Sequence, residues 1–167
     1  MNRRTIAVLT LAVGMPGCAV IPASGGSAPS GETVRYELTP CFGACPVFSL
    51  TLEPDGTGLY QGGAFVADKG RHEFRATPAQ LAAFRNRIDG ARPKGTLQYD
   101  FDDCPGPMHT DAPAVVIDWG DMDRLNWNTG CRAPELVARE AALTQAWREL
   151  PVAQWVGESE NRFDYGR

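Results

Sequence analysis

The sequence predicts an α+β fold: an antiparallel sheet with two helices packed on one face, closed by two disulfides. Three features lead to it. Several short runs alternate apolar and polar residues with the two-residue period of a half-buried strand. Two longer runs place apolar residues at helical spacing, one behind a capping sequence and one behind a proline at its start. Strand runs with only two interspersed helices put those helices on one side of an antiparallel sheet.

Taken in order, "TVRYEL" (33–38) is a short alternating strand that opens the folded part. In "PVFSLTL" (46–52), Phe48, Leu50 and Leu52 fall on one face and Val47, Ser49 and Thr51 on the other. The turn cluster "EPDGTG" (53–58) sends the chain back as "LYQGGAFVA" (59–67), where Gly62-Gly63 predicts a bulge or a break. "DKG" (68–70) turns it again into the strand "RHEFRA" (71–76). Thr77 then caps a helix, Pro78 suits its first position, and Gln80 can complete a capping box. Leu81, Phe84 and Ile88 form the apolar face of that helix and Gly90 stops it. "GTLQYDF" (95–101) is a strand leading into a long polar loop, "DDCPGPMHTDAP" (102–113). "AVVIDW" (114–119) and "RLNWN" (124–128), joined by "GDMD", form a hairpin. "APELVAREAALTQAWREL" (133–150) is a second helix with Leu136, Val137, Leu143, Trp147 and Leu150 along one side, ended by Pro151.

The first residues have a different character. Arg3 and Arg4, an apolar run over 6–13 and small residues before Cys18 are ordered as in a secretion signal, assigned to 1–17. The run is too short for a membrane span, which needs about 20 apolar residues. Gly17-Cys18 resembles the lipobox of bacterial lipoproteins, in which the cysteine becomes the acylated first residue, although Met15 and Pro16 depart from the usual box. Cleavage by an ordinary signal peptidase at "GCA" (17–19) is the alternative. Cysteine parity favours acylation of Cys18: of five cysteines, removing Cys18 leaves four that can all pair. Acyl chains bury about 0.8 kcal/mol per CH₂, and more than one chain makes a stable anchor. By the same resemblance, Ala19 rather than Asp after the cysteine implies the outer membrane, facing the periplasm. Residues 18–32 are rich in Gly, Ser and Pro and form a flexible tether with a reach of roughly 20 Å. A single domain follows over 33–156, then a C-terminal tail over 157–167.

Charge narrows the partners. Loss of Arg3 and Arg4 from the 16 basic residues, against 20 acidic ones, deepens the net charge from −4 to −6. No basic stripe is present, which argues against nucleic acid.

The spacing in "PCFGACPVF" (40–48) first raises redox chemistry. A reactive thiol needs a helix N-terminus or nearby cations, yet Pro46 disfavours helix at Cys45 and the nearest basic residue in sequence is Arg35. The spacing also differs from the C-x-x-C of thioredoxin-like sites. A zinc site would need Cys104 and Cys131 to be a short knuckle, and they are 27 apart. Export favours oxidation instead. Three pairings of the four cysteines are possible, and Cys41–Cys45 with Cys104–Cys131 is the expected one. Gly43 lets the first pair approach, and the ends of a hairpin bring the second pair together.

"TPCFGACPVFSLTLEPDGTGLYQG" (39–62) resembles the signature of a bacterial family known as domain of unknown function 6438. The likeness rests on Cys41-Phe42-Gly43 and Cys45-Pro46-Val47-Phe48, the Asp55-Gly56 turn, Tyr60, and Thr110-Asp111-Ala112-Pro113. It spans roughly 34–156 and departs at Phe48, where Tyr is commoner. The resemblance implies export and a fold and carries over no catalytic residue.

Other candidate chemistry is sparse. Asp100, Asp102 and Asp103, with Asp111 nearby, invite calcium, but an EF-hand loop counted from Asp100 would have Pro105 where Gly is needed. A solvated acidic loop is the simpler reading, and neither a metal nor a cofactor is expected. His109, beside Asp111, reads as a surface loop residue, with a hydrolytic base as the alternative, while His72 sits in a strand. No serine lies in a nucleophile-elbow context. Trp119, Trp127, Tyr99 and Phe101 fill a core if they face in and form a binding platform if they face out. The function expected is a non-catalytic binding, inhibitory or structural module of the envelope, membrane-anchored through its lipid, with an envelope protein or glycan as partner. The alternative is an enzyme, a hydrolase or a thiol oxidoreductase.

Overall fold

The computed structural model describes residues 31–120 and 122–165. The signal peptide expected over 1–17, the acylation site Cys18 and nearly all of the tether expected over 18–32 lie outside the described residues.

Seven strands form one sheet: β1 (Val34–Leu38), β2 (Phe48–Leu52), β3 (Thr57–Gly62), β4 (Arg71–Arg75), β5 (Thr96–Tyr99), β6 (Ala114–Trp119) and β7 (Asp123–Asn128). Their spatial order is β4-β3-β2-β1-β6-β7-β5. All neighbours are antiparallel except β5 and β7, which run parallel with Thr96 opposite Arg124 and Tyr99 opposite Trp127. The mixed edge arises because the β6–β7 hairpin inserts its second strand between β6 and β5. The expected turns fall where the sequence places them, and the chain leaves the sheet at Gly62-Gly63.

Period-2 alternation decides the layers. Registers Val34↔Leu52, Tyr36↔Leu50 and Leu38↔Phe48 align the apolar sides of β1 and β2, and Tyr36↔Ile117 extends the stripe to β6. These side chains are all buried, as are Trp119, Leu125 and Trp127. The opposite face presents Arg35, Glu37, Ser49, Thr51, Asp118 and Arg124, the alternate residues of the same strands. One face of the sheet carries the core and the other is polar, the usual division for an antiparallel sheet.

Helix α1 (Pro78–Ile88) starts with the full capping box at Thr77 and Gln80 and buries Phe84 and Ile88 on the apolar face. The second expected helix is broken. It runs as α2 (Pro134–Val137), α3 (Glu140–Thr144) and a 3-10 turn over Ala146–Glu149. Its latter break has a visible cause. The Thr144 hydroxyl donates to the Glu140 carbonyl at 2.7 Å, a back-bond that bends helices. The Leu143 carbonyl, next in line for the ladder, instead accepts the buried Tyr36 hydroxyl at 2.8 Å. The bend turns Leu143, Ala146, Trp147 and Leu150 together onto the sheet, with Trp147 edge-on to Phe48 at 5.9 Å between centroids.

Two short helices follow, α4 (Ala153–Val156) and α5 (Arg162–Tyr165). The Ala67 and Asp68 amides donate to the Val156 and Trp155 carbonyls. Residues assigned from sequence to a C-terminal tail therefore include structured chain: Arg162 of α5 is only 6% exposed and donates to the carbonyls of Phe65 and Val156.

Candidate functional site

Both disulfides are present as Cys41–Cys45 and Cys104–Cys131. Pro46 after Cys45 keeps the backbone extended and feeds it into β2. The loop is also fastened from both sides. The Phe42 amide donates to the Asp111 carbonyl at 3.1 Å, and the Val47 amide to Ala64 at 2.8 Å. Thr39 and Ala114 bond reciprocally: the Thr39 amide donates to the Ala114 carbonyl, and the Ala114 amide donates to the Thr39 hydroxyl. The stretches 41–48 and 110–113, far apart in sequence, thus meet at one end of the sheet.

Beside this junction lies a cleft of about 500 Å³. Leu38, Cys45, Pro46 and Pro113 form one wall, held by the disulfide and by the bonds just described. Trp147 and Phe163 form the other, and Phe163 is 76% exposed. Two arginines, Arg148 and Arg162, also line it. Arg148 lies with its Cζ 4.6 Å from the Trp147 ring centroid, a cation–π contact. Arg162 donates to two main-chain carbonyls. Neither forms an ion pair within 4.0 Å among the described residues, and no carboxylate lines the cleft. Burial holds the Arg162 guanidinium below its ordinary pKa and Arg148 pushes the same way, while Tyr165 and Glu158 pull it back up. Arginine stays protonated throughout the accessible range, so the cleft holds two cations against an apolar surface.

The polar face of the sheet forms a second concavity of about 490 Å³ around Arg35, Thr51, Asp118 and Arg124. Arg124 is satisfied by Asp118 at 2.7 and 2.9 Å. Glu32, Arg92 and Asp123 form an ion-pair chain at its margin. The Gly95 amide, then the Arg92 guanidinium, hold the Asp123 carboxyl below the usual range.

The other residues singled out by sequence are dispersed. His109 and Asp111 are exposed and line neither concavity. The Asp111 carboxylate accepts the Thr110 hydroxyl at 3.1 Å, and the His109 main-chain amide donates to Gly130. Asp102 and Asp103 are exposed. Asp100 is tied to the Gln98 amide and to the Asp102 N–H. Among the described residues no three His, Cys, Asp or Glu side chains gather to hold a metal ion. Of the two readings of these aromatics, the core one holds for the tryptophans: Trp119 and Trp127 are both fully buried, because they share the core-facing parity of β6 and β7. Their indole N–H groups donate inside the domain, to Asp89 at 2.8 Å and to the Cys131 carbonyl at 2.9 Å. Tyr99 is partly buried with its hydroxyl on Glu135, leaving Phe101 exposed. His72 stacks on Trp155 at 4.5 Å with Nε2 2.9 Å from Asp68.

Sequence reasoning identified the cysteine wall of the cleft and missed Arg148, Arg162 and Phe163. The signals open to it were a tryptophan followed at once by arginine and an Arg-Phe pair after the last apolar run.

The family model described as "Domain of unknown function (DUF6438)" matches residues 32–138. No curated protein matches the chain. The matched span contains Cys45, Pro46 and Pro113 and stops short of Trp147, Arg148, Arg162 and Phe163.

Proposed function

The chain belongs to the DUF6438 family, and on that premise we propose that it is an exported binding domain, held at the bacterial outer membrane on its periplasmic side by acylated Cys18, that acts without catalysis. The two disulfides support export, since such bonds form and persist in oxidising compartments. They also occupy all four cysteines of the described chain.

The observation that carries a binding role is the cleft beside Cys41–Cys45. It is mainly apolar, has one wall held by a disulfide, and is lined by Arg148 and Arg162, neither of which forms an ion pair among the described residues. That is the make-up of a recognition site: apolar surface for affinity and a few placed charges for orientation. A hydrolytic site would pair a nucleophile with a base, and neither His109 nor Asp111 reaches the cleft.

Two measurements test this reading. Intact and non-reduced digest mass spectra of the chain from an envelope fraction should show an N-terminus at Cys18 carrying acyl mass, and both crosslinks. A photo-crosslinking amino acid in place of Phe163 should yield one discrete adduct with an envelope component. An unprocessed chain recovered without acyl mass removes the anchor. Absence of any adduct removes the binding role.

A further inference from the structure

We infer that the cleft between the Cys41–Cys45 loop and the Trp147–Arg148 turn takes a single-chain anionic amphiphile, a free fatty acid, with its carboxylate on Arg148 and Arg162 and its hydrocarbon chain along Leu38, Pro46, Pro113 and Phe163. The inference rests on the binding reading above and names the ligand class of the same site.

Charge is the first argument. The chain is acidic overall, with 20 acidic against 16 basic side chains, yet this cleft is lined by two arginines and no carboxylate. Arg162 is 6% exposed, and its recorded bonds are all to main-chain carbonyls, at Phe65 and Val156. Those bonds neutralise no charge, no ion pair to Arg162 forms among the described residues, and a buried cation without an anion is costly. Glu158 acts on Arg162 electrostatically without making an ion pair within 4.0 Å. Arg148 is exposed and held over Trp147, and the two arginines line the same cleft near enough to act on each other electrostatically. A planar carboxylate fits the guanidinium fork and supplies the missing charge.

The walls are the second argument. An extended peptide would bring amide groups that need partners wherever they are desolvated. The cleft offers few: the Thr144 hydroxyl is already committed to Glu140, Gln145 and Ser159 are the other neutral polar side chains of the lining, and the remaining uncharged surface is the disulfide sulfur with alanine, proline, leucine, tryptophan and phenylalanine carbon. A hydrocarbon chain asks only for apolar surface. The volume of about 500 Å³ lies within the range of small-ligand sites. Phe163, exposed beside the opening, has the surface such a chain would cover.

The test uses the full-length chain with Cys18→Ser, exported and purified without detergent, and titrates it calorimetrically below micelle-forming concentrations. Dodecanoate should bind at one site. Decanoate and octanoate should be weaker by about three- to fourfold per methylene removed. Dodecanol should be at least tenfold weaker and dodecyltrimethylammonium should not bind. Arg148→Gln, at an exposed position, should weaken dodecanoate tenfold or more while lowering the urea midpoint by no more than about 0.5 M, the loss expected from its contact with Trp147. Phe163→Ala should weaken it severalfold. A flat dodecanoate titration, equal binding of dodecanol, or no effect of Arg148→Gln overturns the inference. So does a tenfold preference for lysophosphatidylglycerol, which assigns the site to a phospholipid. So does a Phe163 crosslink to a protein with no fatty-acid binding, an outcome that would leave the binding reading intact.

Discussion

Replacing Cys104 and Cys131 together by serine should cost the domain more stability than replacing Cys41 and Cys45. The bridges close sequence separations of 27 and 4 residues. Loop-entropy reasoning assigns upper figures of about 3.6 kcal/mol to the longer loop and about 2 kcal/mol to the shorter. Two local facts push in the same direction. Cys131 is fully buried, so a serine there also places a hydroxyl in apolar surroundings, whereas Cys41 and Cys45 are only partly buried. The longer bridge also holds a seam that includes the Met108–Cys131 pairing, the His109 amide on Gly130 and the Arg132 amide on Pro107. In urea, with a slope of about 2 kcal/mol per molar, these figures become midpoint losses of about 1.8 M and about 1 M. Tryptophan fluorescence suits the measurement, since Trp119, Trp127 and Trp147 are buried in the native state. Equal losses, or a larger loss for the short loop, would refute the claim that loop length sets the contribution.

Other perturbations have defined outcomes. Tyr36→Phe removes the hydroxyl that donates to the Leu143 carbonyl at 2.8 Å and strands a buried acceptor, so chemical unfolding should register about 1–2 kcal/mol. Gly130→Ala would set a Cβ 2.0 Å from the His109 carbonyl oxygen, and the shift this forces should cost about 1–3 kcal/mol in the same assay. Asp55, Asp68, Asp100, Asp123 and Glu135 are each held below their ordinary pKa, chiefly by hydrogen bonds. Groups depressed in the folded state stabilise it above their unfolded pKa, near 4, and lose that contribution as pH falls through the folded values. Urea midpoints should therefore be level from pH 7 to about 5 and drop below about 4, and Asp123→Asn should reduce the drop.

How far the sequence revealed this molecule depended on the range over which each signal acts. Strand alternation, the Thr77-Pro78-Gln80 helix start and the β6–β7 hairpin are local rules, and all three hold in the structure. The parallel β5–β7 pair was hidden because strand order is a long-range choice and β5 carries no mark of its direction. The broken helix failed for a related reason: over 133–150 propensity favours one helix, but at the end of α3 a tertiary bond from Tyr36 to the Leu143 carbonyl acts with the local back-bond of Thr144 to take precedence. The inward placement of Trp119 was open to parity alone, since Val115, Ile117 and Trp119 share one side of β6.

The cleft was half legible, for a physical reason. Its cysteine wall is written in a compact stretch whose spacing restricts the backbone, so disulfide and extended exit follow from neighbours. Its cationic end follows from no neighbour. Arg148 and Arg162 reach the site because the bend at Thr144 swings Trp147 toward Phe48, and because α5 docks its arginine on Phe65 and Val156. In a linear reading both are solvated charges near the end of an acidic chain. Packing strips one of water and, among the described residues, pairs neither with a carboxylate, and that mismatch is what marks the cleft as a place for an anion from outside.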